Sequence, residues 1–388
     1  MNVSNGKRLA IFCLYAPDGI VRFRVTYILR ELMTVSDEII IVSNGDISDE
    51  GKAKLREYTN TLIIRDNIGF DGGAYADVIL NHIGKENLNQ YSKLILCNDT
   101  FWGPFVPFSE IFAEMEKREA DWWGLNKVES KFLAHMQSYF LVFNHSVMES
   151  NTVYDFFYEM KDHLNTHVVY DIYVYFELAI YIYLHERNFK DATYSFTHNV
   201  CVYQSAAFCY LRYNLPILKY HSLKKENYHK EQLSILINTL RQRNSYPYNE
   251  IICEIRDRCG FEQDISLTMD DLPNEIFYTT VPEISAEDLI AFSQKFGSTY
   301  LYGAGLIGQR TLYSIGKKLK NVKGYLVSDS IDIKNSIIMG LPVIHYSDRD
   351  FDACIIFTLD SRNSRQVFGC LGKKEELVYL FKEFNKEL

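Results

Sequence analysis

The stretch from Asn60 to Pro104 limits the possible folds more than any other part of the chain. Two short apolar runs, Leu62–Ile64 and Leu94–Cys97, each stop abruptly in a polar cluster, with a helical segment between them. The first cluster holds Asp66, Asn67, Gly69, Asp71, Gly72 and Gly73, and the second is Asn98, Asp99 and Thr100. Short apolar runs closed by turn residues read as buried strands. In an open α/β sheet, ligands bind beyond the carboxyl ends of the strands, so two such ends predict one shared site. Glycine at a strand end lets backbone N–H groups come close to a phosphate. A carboxylate there can hold a hard cation. Either cluster alone is also ordinary turn chemistry; it is the pair that favours a site.

The neighbouring segments continue the pattern. Leu9–Ala16 is a strand closed by Pro17-Asp18-Gly19, and Val21–Met33 has helical spacing with Val25, Ile28, Leu29 and Leu32 on one face. Glu38–Ser43 is a second buried strand ended by Asn44-Gly45-Asp46, and helices are expected at Glu50–Tyr58 and Ala74–Ile83. Strands alternating with helices predict a parallel sheet with right-handed crossovers. After Pro104 the spacing predicts a helix at Phe108–Arg118, a strand in D-W-W-G-L-N, a strand from His135 to Phe143 and a helix at Val147–Lys161. A helix from about Tyr170 to Glu186 carries Asp171 and Glu177. A helix glutamate usually faces solvent, yet Phe176, Leu178 and Ile180 flank Glu177. A carboxylate with dry neighbours acquires a raised pKa, which suits a general base.

Composition narrows the function classes. A net charge of −9 over 388 residues argues against a nucleic-acid binder, whose footprint is a basic face, and against simple adsorption to an anionic membrane. The run Val168–Leu184 is about long enough to span a bilayer, but Asp171, Glu177 and its tyrosines make it a buried helix. The eight cysteines form no C-x-x-C pair. With no signal peptide in view, that pattern predicts a cytoplasmic protein.

The ordered segments N-I-G-F-D-G-G-A-Y, L-C-N-D-T-F-W-G-P, D-W-W-G-L and H-M-Q-S-Y-F-L-V-F resemble the rhamnan synthesis F family of bacterial polysaccharide glycosyltransferases. The resemblance covers most of residues 8–222 and implies a GT-A-like nucleotide-sugar transferase domain, α/β with a mainly parallel sheet. It places Asn98-Asp99-Thr100 where such enzymes carry a D-x-D metal motif, with Asn98 in place of the first carboxylate. Asp99 would then hold a divalent cation, Mg or Mn. Asn44, Asp66, Asn67, Gly69, Asp71, Gly72, Gly73 and Asn98 would surround the donor. F-E-L-A-I-Y-I-Y-L-H-E-R-N-F is similar to the late helix whose acid deprotonates the acceptor, making Glu177 the first candidate base and Asp171 the second. L-P-I-L-K-Y-H puts Lys219 and His221 where the family carries a basic residue, His221 to ligate metal or cover the diphosphate. The implied partners are a nucleotide-diphosphate sugar, with dTDP-rhamnose the name-giving donor, and a lipid-linked or polymeric glycan acceptor. No nucleic acid is expected, and a lipid-linked acceptor would bring the enzyme to the inner membrane face.

Residues 1–245 therefore read as the transferase domain, 246–285 as a partly helical connecting segment and 286–388 as a small Rossmann-like α/β domain. In the last, Gly303, Gly305 and Gly308 form G-x-G-x-x-G between a short strand and a helix, and Asp329 falls where a ribose-binding acid would. Two rival readings follow. One is a nucleotide-sugar oxidoreductase or epimerase run by the glycine motif, which leaves the larger half of the chain idle. The other is a non-catalytic nucleotide-sugar-binding scaffold.

Overall fold

The computed structural model describes residues 6–128, 134–198, 200–224, 229–243, 246–272, 284–359, 361–371 and 374–380. The chain divides into two compact units, Met1–Val128 with His135–Thr279, and Thr280–Leu388 with Glu129–Ala134.

In the first unit the apolar runs become strands β1 (Arg8–Leu14), β2 (Glu38–Asn44), β3 (Thr61–Arg65) and β4 (Lys93–Asn98). They pair in parallel with β1 between β2 and β4, and β3 outside β2. Leu9 through Phe12 are fully buried in β1, as expected of a parallel strand covered on both faces. Then follow β5 (Phe101–Trp102), β6 (Trp122–Val128), β7 (His135–Met136), β8 (Phe140–Asn144), β9 (Asp191–Phe196) and β10 (Leu218–Lys219). The main sheet runs β3-β2-β1-β4-β8-β6-β7, with β9 also on β6. The fold is α/β with a mainly parallel sheet, β8 being antiparallel to β4 and β6. β5 and β10 form a separate two-stranded ladder that sets Lys219 opposite Phe101.

Three segments depart from the sequence pattern. His135–Phe143 is two strands, because Ser138 turns its N–H and hydroxyl to the Glu177 carboxylate at 2.9 and 2.7 Å instead of into a ladder. The expected helix at Val147–Lys161 is broken at Asn151, which is left-handed with φ 61°. The helix Lys230–Arg243, charged at both ends, is buried from Gln232 to Leu240. It packs with Trp102, Phe105, Tyr246, Ile251 and Ile255. The described part of the segment read as a connector, 246–272, thus adds to the first unit's core. Among the described residues, no helix is long and apolar enough to cross a membrane.

The second unit carries β11 (Ser298–Tyr302), β12 (Val322–Val327), β13 (Ile337–Ile338), β14 (Leu341–His345), β15 (Ala353–Phe357) and β16 (Leu377–Tyr379). Their order is β13-β14-β12-β11-β15-β16, and all neighbours are parallel except β13 with β14. The glycine motif links β11 to the helix Leu306–Ile315. A Cβ on Gly308 would lie 2.0 Å from the Gly303 carbonyl oxygen, whereas a Cβ on Gly305 would meet nothing within 4 Å. Gly308 is therefore required for strand–helix contact, and Gly305 is not. Gly308→Ala should lose roughly 1–3 kcal/mol of stability, the usual range for overpacking. Gly305→Ala should stay within about 0.5 kcal/mol of the parent. Thermal melts of both variants check this, and equal melting temperatures would refute the packing role.

Candidate active site

The carboxyl ends of β1 to β4 lie along one edge of the sheet, and the two polar clusters meet there. β3 is separated from β4 by two strands, so the clusters join through the helix Phe70–Asp77 that follows β3. Its Asp71 accepts a hydrogen bond from Asn98 Nδ2 at 2.7 Å and from its neighbour Gly72 N–H at 2.9 Å. Burial pushes the Asp71 carboxyl above its usual range, against the Asn98 hydrogen bond. Asn44, at the end of β2, is fixed by Arg65 Nη1 at 2.7 Å and donates to the Phe70 carbonyl at 2.7 Å. Asn67 Oδ1 is buried with no hydrogen-bond donor among the described residues, while Asp66 is exposed.

The glycines of the first cluster have a different role from a phosphate cradle. Gly69 is left-handed, φ 76°, and a Cβ there would lie 1.9 Å from the Leu164 carbonyl. A Cβ on Gly72 would meet Ile172 and Phe176 at 3.2 Å. The Gly69 N–H bonds the Thr166 carbonyl at 2.7 Å, that of Gly73 the Gly69 carbonyl at 2.6 Å, and that of Gly72 the Asp71 carboxylate. Their amides are engaged inside the protein, and what they permit is close packing, Gly69 and Gly73 against the Leu164 carbonyl and Gly72 against the helical stretch that carries Glu177.

That stretch, Val169–Glu186, is α-helical at both ends and π-helical over Tyr173–Leu178. A π turn inserts a residue and redirects the side chains around it, a device frequent at functional sites. Here it delivers Glu177 to the strand edge. One carboxylate oxygen accepts from the Ser138 N–H and hydroxyl, and the other lies 3.1 Å from His135 Nε2. Burial raises the Glu177 pKa, but His135 and Ser138 together outweigh it and hold the group down to about 2. The raised pKa expected from its apolar sequence neighbours is thus reversed. Its spatial neighbours are hydrogen-bond donors. Asp171 instead accepts from the Thr166 hydroxyl at 2.7 Å.

Lys219 reaches the cluster from the β5–β10 ladder. Its Nζ donates to Thr100 Oγ1 at 2.7 Å and sits 4.2 Å from the Tyr139 ring centre. Thr100 in turn donates to Asn98 Oδ1 at 2.7 Å. Burial lowers the Lys219 pKa to about 8, offset in part by Glu177, Asp71 and Asp99. Asp99 is bridged by Arg24 Nη2 at 3.2 Å. Burial pushes the Asp99 carboxyl up, against Arg24 and the Tyr15 N–H. His221 is exposed, its ring 5.8 Å from that of Tyr203. Among the described residues no three His, Cys, Asp or Glu side chains converge on a point. The side chains at Asp99 do not fit a divalent cation, since a guanidinium and an ammonium already stand beside the carboxylates.

Arg24, His135 and Ser138 were not legible as site residues from the sequence. Arg24 carried one signal: it lies three residues after Val21 and four before Ile28, on the buried stripe of its helix. In the second unit Asp329 follows β12, exposed, and accepts from the Ser347 N–H at 3.0 Å.

The family model of rhamnan synthesis protein F matches residues 39–274. Uncharacterized protein y4gN of Sinorhizobium fredii is 30% identical over 146 residues, covering 37% of each chain. Virulence protein VirA of Vibrio anguillarum is 26% identical over 205 residues, covering 52% of this chain and 62% of that one. The chain thus spans less than two thirds of either relative's length. Glucosyl-3-phosphoglycerate synthase from Mycobacterium tuberculosis, solved with Mn2+, uridine diphosphate and glucosyl-3-phosphoglycerate, is 10% identical. That match covers 42% of this chain and 68% of that one, with a TM-score of 0.24.

The depressed Glu177 pKa has a consequence for stability. A carboxyl lowered from 4.5 to about 2 on folding contributes stability that is fully present above the unfolded pKa and is lost as pH falls toward the folded one. Between pH 7 and pH 3 the loss from this group is about 2 kcal/mol. Glu177→Gln should remove that increment, so its unfolding free energy should fall less over the same interval. Urea titrations at the two pH values measure it, and parallel losses in the two proteins would contradict the lowered Glu177 carboxyl.

Proposed function

The chain belongs to the rhamnan synthesis protein F family, and on that premise we propose that it is a glycosyltransferase acting on nucleotide-diphosphate sugars. The supporting observation is the Asn98–Asp71 hydrogen bond at 2.7 Å. It merges two strand-end clusters with Lys219 and Glu177 into one charged site beyond the carboxyl edge of a parallel sheet, where such folds bind ligands. The proposed donor is dTDP-rhamnose, and the proposed acceptor is a hydroxyl of a growing bacterial surface polysaccharide, lipid-linked or polymeric. Asn44, Asn67, Asp71 and Asn98 line the proposed donor side.

In the proposed step the acceptor oxygen bonds to the anomeric carbon. The bond from that carbon to the β-phosphate oxygen breaks, and its electron pair leaves with the nucleoside diphosphate. The acceptor proton passes to Glu177, which is ionised at neutral pH. A carboxylate with so low a pKa is a weak base, so its effect belongs at the lower end of general-base catalysis, about 10²-fold. The oxidoreductase or epimerase alternative draws on the glycine motif of the second unit and leaves the charged site of the first unit without a role.

The test is transfer of labelled sugar from a panel of nucleotide sugars to polysaccharide acceptors. Glu177→Gln should lower turnover about 10²-fold with donor affinity nearly unchanged, and Asp171→Asn should leave turnover intact. The reverse ranking would move the base to Asp171. Nucleotide-sugar binding without transfer to any acceptor would favour the scaffold reading.

A further inference from the structure

A transferase of this kind leaves negative charge on a diphosphate, and a positive group must meet it. In this site the chain itself supplies cations. Arg24 and Lys219 are 6% and 8% exposed, and both are fixed from outside the main sheet. Arg24 projects from the helix Phe23–Met33 onto Asp99, its guanidinium also 4.4 Å from the centre of the Tyr220 ring. Lys219 is held by the two-residue ladder with β5 and by the Thr100 hydroxyl. A divalent ion on Asp99 would stand within a few ångströms of the guanidinium, and like charges that close repel strongly where water is scarce. Arg24 Nε and Nη1 are buried without a hydrogen-bond acceptor among the described residues. Buried donors of this sort call for an anion or water.

We propose that Lys219 is the resident cation for the nucleoside diphosphate, that Arg24 neutralises Asp99 so that this carboxylate does not repel the phosphates, and that binding needs no divalent metal. The proposal rests on the glycosyl-transfer reading. In the transfer step no redox change occurs: the electron pair of the broken carbon–oxygen bond stays on the diphosphate, facing the ammonium. Lys219 contacts the ligand, whereas Arg24 acts through Asp99 as a positioning residue.

Isothermal titration of the full chain with UDP, dTDP, GDP and CDP, each in excess EDTA and again with Mn²⁺, tests the idea. The nucleotide that binds should do so in excess EDTA with no gain on adding Mn²⁺, and the electron spin resonance signal of free Mn²⁺, already lowered by chelation to the nucleotide, should fall no further when protein is added. Lys219→Met should weaken binding by about 10- to 100-fold, the worth of one hydrogen bond to a charged group. Lys219→Arg should recover part of it. Lys219→Met should also melt below the parent, because the buried Asp71 carboxyl loses a compensating charge, and Lys219→Arg, which keeps the charge, separates that loss from the loss of binding. Binding that appears only with Mn²⁺, with the ion's signal lost, would overturn the inference while leaving the transferase reading intact. Wild-type affinity in Lys219→Met would overturn the role of the lysine. If none of the four nucleotides binds in either condition, the transferase reading fails and the inference with it.

Discussion

An ammonium in a nearly dry site is the constraint around which the first unit is arranged. Lys219 is 8% exposed, and a buried charge is tolerated only with partners close at hand. Those partners come from separate parts of the chain: Thr100 after β4, Tyr139 between β7 and β8, Asp71 on the helix after β3, and Glu177 on the π turn. Each local irregularity of the fold brings one of them in. The β5–β10 ladder aims the lysine, the break at Ser138 receives Glu177, and Gly72 lets the Asp71 helix lie against the Glu177 helix. Replacing these features with regular strand and helix would leave the charges apart.

The parallel half of the sheet was legible in the sequence for a physical reason. Strands covered on both faces read as unbroken apolar runs, and the polar residues that end β3 and β4 stand out against them. Their meeting was implied as well, because both clusters terminate on the same edge. The state of Glu177 was not legible. Its chain neighbours are apolar, but adjacent residues on a helix point in different directions, and the groups that set its pKa are His135 and Ser138, some forty residues earlier. The role of the glycines was not legible for a related reason: a phosphate cradle and close packing both demand a missing Cβ, and the sequence does not show the atom opposite. At Gly69 that atom is the Leu164 carbonyl oxygen. The segment 246–272 hid its core residues too, since Ile251 and Ile255 bury one face of an otherwise charged helix.

The second unit illustrates how far a motif can be read before geometry is known. Its strand order puts β11 between β12 and β15, with β11 parallel to both. Of the three glycines, Gly303 has φ 106° and Gly308 abuts the Gly303 carbonyl, so both are accounted for by the turn and the strand–helix contact. Gly305 faces open space. Two thirds of the motif is therefore accounted for by the turn and the strand–helix contact.

The replacement of the expected first carboxylate by Asn98 belongs with the cations of the site. Asn98 Nδ2 donates to Asp71 at 2.7 Å, and its Oδ1 accepts from Thr100. A carboxylate at the same position would set two anions in contact, which a site of low dielectric tolerates only if a proton or a metal lies between them. An amide removes that requirement by offering a donor to Asp71 and an acceptor to the hydroxyl that holds Lys219. Removing one negative charge at position 98 and burying positive charges at 24 and 219 are thus the same change seen from two sides. A site lined with carboxylates recruits its cation from solution, whereas in this site the cations arrive with the fold.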